Sequence, residues 1–401
     1  MNADLSELPV AVPGFRFAGL SAGIKSNGKP DLGLIVADRT CAVAGVFTRN
    51  RVKAAPVKLA QRRVKPGRAR AVLVNSGNAN ACTGAPGMEA AKESTAAIAR
   101  ALGVDASEVI PASTGVIGAL LPASRIVDAA DRAVASLAAD GAADFAQSIM
   151  TTDQWRKVAS LRITLGTGAV VTVLGLAKGA GMIHPDMATT LGFLVTDAGL
   201  SPSLLRTLLK QAVDATFNAI SVDGDTSTND TILAMASGHA GSVRAGSKDA
   251  KAVLVAMTDV LGALGKSIVR DGEGARHVAR IEVSGLRTDR AARTIARTIA
   301  TSPLVKTALH GKDANWGRIL AAAGRAGVAF QPDLAEIRIG DEVIVRHGMP
   351  VGKEAESRAA LILAGPEYTV QVRLGEGRGR AHYLTCDFGP DYVAVNANYR
   401  S

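Results

Sequence analysis

Residues 178–197 constrain this chain more than any other stretch: Lys178-Gly-Ala-Gly-Met-Ile-His-Pro-Asp-Met-Ala188-Thr189-Thr190-Leu-Gly-Phe-Leu-Val-Thr-Asp197. A glycine-rich turn leads into a loop of small residues, and a hydroxyl residue then opens an apolar, strand-like run. A threonine hydroxyl is a poor nucleophile until a base takes its proton, and the α-amine of the same residue becomes that base once the preceding peptide bond is cut. The junction of Ala188 and Thr189 can therefore make its own catalytic group. The Thr189 hydroxyl would attack the Ala188 carbonyl, water would resolve the ester, and backbone strain held by the surrounding fold would favour the shift. Spacing alone favours a plainer reading, in which Thr189 and Thr190 begin a buried strand, because β-branched residues prefer strands.

The flanking sequence supplies a setting for either reading. Strand-like runs at 32–36, 42–47 and 69–74, the last ending in Asn75-Ser-Gly-Asn-Ala-Asn80, suggest antiparallel pairing, because turn residues punctuate them at short intervals. Residues 88–102 and 123–138 space their apolar side chains by three and four, as amphipathic helices do, and 202–215 and 248–269 also read as helices. Pro111-Ala-Ser-Thr-Gly-Val-Ile-Gly118 reads as a small-residue turn that could aim backbone N–H groups and the Thr114 hydroxyl at one point, as an oxyanion hole requires. Local sequence favours a turn whose glycines only permit unusual backbone angles. Asp223 and Asp225 suggest calcium, but an EF-hand loop would want glycine where Thr228 stands and a bidentate acid where Ala234 stands.

Composition excludes several classes. The chain has 401 residues, 47% of them hydrophobic and 20% charged, enough for two core-bearing units of an ordinary globular protein. Its net charge of +10 comes with only 3% aromatic residues and dispersed arginines, which argues against nucleic acid and for a solvated surface that steers small anionic substrates. Cys41, Cys82 and Cys386 are odd in number and widely spaced, so they are expected as buried thiols and not as disulfides or metal ligands. The six histidines show no paired metal spacing. No basic leader and no apolar run of bilayer length is evident, so no membrane is expected and a cytoplasmic address follows.

Lys178-Gly-Ala-Gly-Met, followed by Pro-Asp-Met-Ala-Thr and by Thr-Asp-Ala at 196–198, resembles the self-cleaving segment of the ornithine acetyltransferase family, the glutamate N-acetyltransferases of arginine biosynthesis. Further segments resemble that family in its own order: Ile149-Met-Thr-Thr-Asp153, the polar run 225–230, Asp271-Gly-Glu-Gly274, Ser302-Pro-Leu-Val-Lys-Thr-Ala308, Asp313-Ala-Asn-Trp-Gly-Arg-Ile319 and the ending 391–401. The resemblance spans 14–401 and departs at Gln154-Trp-Arg-Lys157, where Thr-x-Pro-Lys is usual. It implies an α+β fold of the αββα sandwich type, cut into an α chain of residues 1–188 and a β chain of residues 189–401 that stay associated as α2β2. It also implies ping-pong acetyl transfer from N-acetyl-ornithine to glutamate on Thr189, with Thr114 and Gly115 stabilising the oxyanion and acetyl-CoA as an alternative donor. Thr151, Lys178, Thr189, Glu273, Asn396 and Ser401 would contact substrate, without cofactor or metal. An amidohydrolase or aminopeptidase on the same scaffold, or an inactive binding protein, are the alternatives.

The purified protein is expected to run as two pieces on a denaturing gel, and Thr189→Ala, which lacks the attacking hydroxyl, as one. A single full-length band that persists through purification of the unmutated protein would count against self-cleavage.

Overall fold

The computed structural model describes residues 5–184 and 190–398. From β1 (Phe15–Leu20) and β2 (Leu32–Phe47) the chain runs through α1 (Ala55–Arg63), β3 (Arg68–Asn78), α2 (Gly84–Leu102), β4 (Val109–Val116), α3 (Ala123–Ala135), α4 (Ala142–Ser148), β5 (Lys157–Thr164) and β6 (Val170–Lys178). Then come β7 (Leu191–Thr196), α5 (Pro202–Ala215), β8 (Ile220–Ser221), β9 (Thr231–Ala236) and α6 (Lys248–Arg270).

The first sheet has the order β4-β3-β2-β9-β7-β6-β5, with β1 also on β2. The long strand β2 serves both ends of it. Residues 32–36 pair with β1 and β3, whereas residues 42–47 pair with β9, and the register against β3 slips between Val36 and Cys41. Side chains alternate between faces along a strand, so each part of this bent sheet has an inner and an outer side. On the inner side Phe17, Ile35, Val72, Ile110, Leu174, Phe193 and Leu233 pack together, with the Phe145 ring from α4 edge-on to Phe17 and Phe193. On one outer side Leu32, Leu34 and Leu73 meet Ile98 of α2 and Ile126 of α3. On the other, Leu161, Val173 and Ile232 meet Leu205 and Leu209 of α5 and Val260 and Leu264 of α6. Helix, sheet, sheet, helix is the αββα sandwich expected from the sequence, made by folding one sheet over its own core.

The pairing is mixed and not simply antiparallel, since β3 with β4 and β7 with β9 are parallel. The Gly- and Asn-rich segment at 75–80 looks like a hairpin turn, but it leads into α2, and a parallel neighbour needs such a crossover. The expected turn at 111–118 is largely strand β4 as well.

The remaining chain is β10 (Val278–Gly285), α7 (Asp289–Ala300), α8 (Pro303–His310), α9 (Trp316–Gly324), β11 (Glu336–Ile339), β12 (Glu342–Arg346), β13 (Met349–Pro350), α10 (Lys353–Leu363), β14 (Glu367–Arg373), β15 (Gly377–Cys386) and α11 (Pro390–Asn398). It builds a second sheet, β13-β12-β11-β14-β10-β15-β8, which the sequence reading did not separate from the sandwich. Ile281, Ile337 and Val370 of this sheet pack under Ile295 and Ile299 of α7, Val305 of α8 and Ile319 of α9. The 302–308 and 313–319 segments are thereby structural: Lys306 Nζ donates to Thr385 Oγ1 and to the Cys386 carbonyl, and Asn315 caps α9.

Helix α6 has 23 residues and, by length and composition alone, is apolar enough to cross a membrane, contrary to the sequence expectation. Its Val253, Met257, Val260, Leu264 and Ile268 belong to the core against β5 and β6, so here it is a central packing helix. Cys41 and Cys386 are buried as expected, but Cys82 is exposed.

A Cβ on Gly175 of β6 would lie 2.5 Å from Val260 Cγ1 and 2.7 Å from Leu264 Cδ1. Gly175→Val should lift α6 from the sheet and lower stability by about 1–3 kcal/mol, the usual cost of overpacking, read from urea unfolding. An unchanged midpoint would mean that α6 is not seated on β6.

Candidate active site

Residues from distant parts of the chain line one cleft. Thr114 and Gly115 come from the end of β4, Thr151 from the loop after α4, Lys178 from the end of β6, Glu273 from the turn after α6 and Asn396 from α11. Every described residue that the sequence assigned to the site is thus in the same place. Ala188, Thr189 and Ser401 lie outside the described residues. Thr190, just before β7, and Leu191, its first residue, are on the cleft wall.

Lys178 is 8% exposed, and its Nζ donates to Thr114 Oγ1 at 3.4 Å. An ammonium can only donate, so the Thr114 oxygen is the acceptor and its own hydrogen remains to be given elsewhere. Burial pushes the Lys178 pKa down; Asp153 nearby opposes the shift, and the charge of Lys157 adds to it. Gly115 has φ +132°, and a Cβ there would fall 2.3 Å from the Gly77 carbonyl carbon, so only glycine lets β4 finish its pairing with β3. Behind this pair, Ser113 Oγ donates to Asn75 Oδ1 at 2.6 Å, and Asn229 Nδ2 donates to the carbonyls of Ser113 and Ala79 at 2.8 and 2.6 Å. Thr114 and Gly115 are therefore held by a sheet ladder and buried amides, not by a free turn.

The polar run 225–230, one of the family-like segments, is a hydrogen-bonded frame. Thr48 Oγ1 donates to the Ser227 carbonyl, Asn50 Nδ2 to the Thr226 carbonyl, and Thr226 Oγ1 to the His184 carbonyl. Asp223 accepts from the backbone N–H groups of Met182 and Ile183 at 2.5 and 2.9 Å, and burial nonetheless raises its pKa to about 6. Among the described residues, no group of three His, Cys, Asp or Glu side chains is placed to hold a metal ion.

Two cleft atoms carry a signal that sequence reasoning missed. Among the described residues, Thr190 Oγ1 and Asp230 Oδ2 are buried without a hydrogen-bond partner, and burial pushes the Asp230 carboxyl well above its usual range. Orphaned buried polar atoms are costly and concentrate where a structure binds or reacts. Across the cleft, the Glu273 N–H donates to the Ala180 carbonyl at 2.9 Å, and Asn396 Nδ2 donates to Glu273 Oε2 at 2.9 Å. A carboxylate and an ammonium thus face the same space, which suits an amino-acid zwitterion.

The ArgJ family model matches residues 16–401. The arginine biosynthesis bifunctional protein ArgJ of Geobacter sulfurreducens is 48% identical over 392 residues, 97% of this chain and 100% of its own. The protein of the same description from Nitratidesulfovibrio vulgaris is 46% identical over 389 residues, 97% of this chain and 98% of its own. The crystal structure of arginine biosynthesis bifunctional protein ArgJ from Bacillus halodurans is 38% identical with a TM-score of 0.50, and the match covers 52% of this chain and 98% of that one. With a family match and similar relatives that span nearly its whole length, the chain belongs to the ArgJ family.

Proposed function

We propose that the cleft transfers an acetyl group from N-acetyl-ornithine to glutamate through an acetyl ester on Thr189. As a member of the ArgJ family the protein is an N-acetyltransferase of arginine biosynthesis. The observation that carries the site reading is the convergence of Thr114, Gly115 and Lys178 with Glu273 and Asn396 on a cleft whose wall continues into Thr190.

Thr189 Oγ1 attacks the acetyl carbonyl carbon while its proton passes to its own α-amine. The carbonyl oxygen becomes an oxyanion, which takes hydrogen bonds from the Thr114 hydroxyl and the Gly115 N–H. Collapse breaks the C–N bond, the amine takes the proton, and ornithine leaves. The glutamate amine then attacks the ester, and the same steps run in reverse to release N-acetyl-glutamate and the Thr189 hydroxyl. Lys178 pairs with a substrate carboxylate and Glu273 with the free ammonium of the donor, while Thr151, Asn396 and Ser401 complete the binding. No step calls for a cofactor. Water is kept from the ester, or the enzyme would hydrolyse its donor. The word bifunctional in the relatives' names supports a second donor, for which we take acetyl-CoA. A Bacillus halodurans chain that is matched over 98% of its length by 52% of this one fits a chain cut in two, and we take the pieces to be 1–188 and 189–401, held together in a cytoplasmic α2β2 assembly.

Incubation with N-acetyl-ornithine, with and without glutamate, tests the reading. Transfer to glutamate is expected, with an acetyl adduct on the β chain by intact mass when glutamate is withheld. Acetate release alone would favour an amidohydrolase, and no reaction an inactive binding protein.

Thr114→Ala should lower kcat by roughly ten- to a thousand-fold, the range for one lost oxyanion donor, and should change KM little. The rate is read on material shown to be cleaved. Turnover at the unmutated rate would assign the oxyanion to backbone N–H groups alone.

A further inference from the structure

Lys157, the first residue of β5, ends the segment that departs from the family pattern, and its ammonium is fully buried between two carboxylates. It lies 2.6 Å from Asp153 Oδ1 and 2.5 Å from Asp271 Oδ2, and all three side chains are wholly shielded from solvent. Both carboxylates also accept from main-chain N–H groups of the loop 151–154, and Asp153 reaches the end of β6 as well. Asp153 accepts from the Thr151 N–H at 2.9 Å and from the N–H of Gly179, the residue after Lys178, at 2.6 Å. Asp271 accepts from the Gln154 N–H at 3.0 Å and stands two residues before Glu273. Trp155 adds a side-chain tie, its Nε1–H donating to Ser267 Oγ on α6 at 3.2 Å.

A buried ion pair is weak ground for stability, because desolvation of both ions offsets their attraction and apolar side chains of equal volume would pack as well. Directed bonds are what such a cluster supplies. We infer that Lys157 is a positioning residue for substrate binding: clamped between Asp153 and Asp271, its ammonium sets the span between Lys178 with Thr151 on one wall and Glu273 on the other. An amino-acid substrate bridges that span with its carboxylate and its ammonium. The inference rests on the acetyl-transfer reading of the cleft.

The same geometry gives Lys157 an electrostatic signature. Lys178 faces Asp153, Glu273 and Asp230 as negative or titratable neighbours, with Lys157 and Lys25 as positive ones. Burial works against the Asp153 carboxylate, yet Lys178 and Lys157 hold its pKa well below the ordinary range. Removing the Lys157 charge relieves Lys178 of a positive neighbour and raises its pKa; removing the Asp153 charge does the opposite.

The test is steady-state kinetics with N-acetyl-ornithine across pH for Lys157→Met, Asp153→Asn and Glu273→Gln, on cleaved protein whose folded fraction is measured by circular dichroism. Lys157→Met should lose about a hundredfold in kcat/KM, the loss expected for a misplacement on the order of 1 Å, and most of it should appear in KM. The alkaline limb of kcat/KM should move to higher pH in Lys157→Met and to lower pH in Asp153→Asn. A native KM in the folded fraction of Lys157→Met, or limbs that move in the same direction, would overturn the inference. If Lys157→Met fails to fold, the charge-balanced Lys157→Met/Asp271→Asn variant answers the same KM question. A raised KM in Glu273→Gln beside a native one in Lys157→Met sinks the inference alone. Native KM in both sinks the cleft reading and the inference with it.

Discussion

The register slip in β2 between Val36 and Cys41 is the feature on which the site depends. A sheet of this many strands left open would have to bury both faces under helices. Bent at β2, it closes over Phe17, Phe145 and Phe193 instead and brings the end of β4 opposite the end of β6. Thr114 and Lys178 are 64 positions apart in the chain, and the bend makes them hydrogen-bonded neighbours. The glycine at 115 and the amide of Asn229 then hold the Thr114 side of the cleft to a fixed geometry.

A cleft built this way is strongly polar and poorly solvated at once. Lys178, Asp230, Asp153 and Lys157 are all buried, and their charges act on one another through protein rather than water. In that setting a donor aimed at an oxyanion stabilises it without waiting for solvent to reorganise. In the proposed reaction the same shielding from water would disfavour loss of the acetyl group to hydrolysis. Burial also splits the titrating groups: Asp230 moves up and Lys178 down, so each is drawn toward its neutral form, while Asp153 stays ionised beside two lysines.

Local patterns were readable from sequence where local physics decides. Helix α5 falls at 202–215 as its apolar spacing predicts, and α6 runs one residue beyond its expected end. The family-like segments at 114–115, 151, 178, 273 and 396 led to one cleft. What failed was long-range pairing. The parallel partner of β3 is chosen by the packing of α2, and the second sheet draws β8 from far upstream to lie beside β15, neither of which leaves a periodic trace. Lys157 and Asp271 are 114 positions apart, and a lone lysine in one segment says nothing of the carboxylate it will meet. Thr190 reads as the opening of a strand and Asp230 as the end of a family-like polar run, and what marks them further is the lack of a hydrogen-bond partner among the described residues.

The sheet order has a consequence for the proposed cut. Strands β7 and β9 lie between β2 and β6, although both belong to the piece that would begin at Thr189. The two products are therefore interleaved, each supplying the hydrogen-bond partners of the other's central strands. Breaking the bond before Thr189 frees a terminus without freeing a fragment, since to separate the pieces would expose the edges of β2 and β6 together with the apolar core on both faces. After such a cut, covalent continuity would be dispensable to the finished sheet, whereas residues 1–188 alone would hold a sheet with a gap two strands wide.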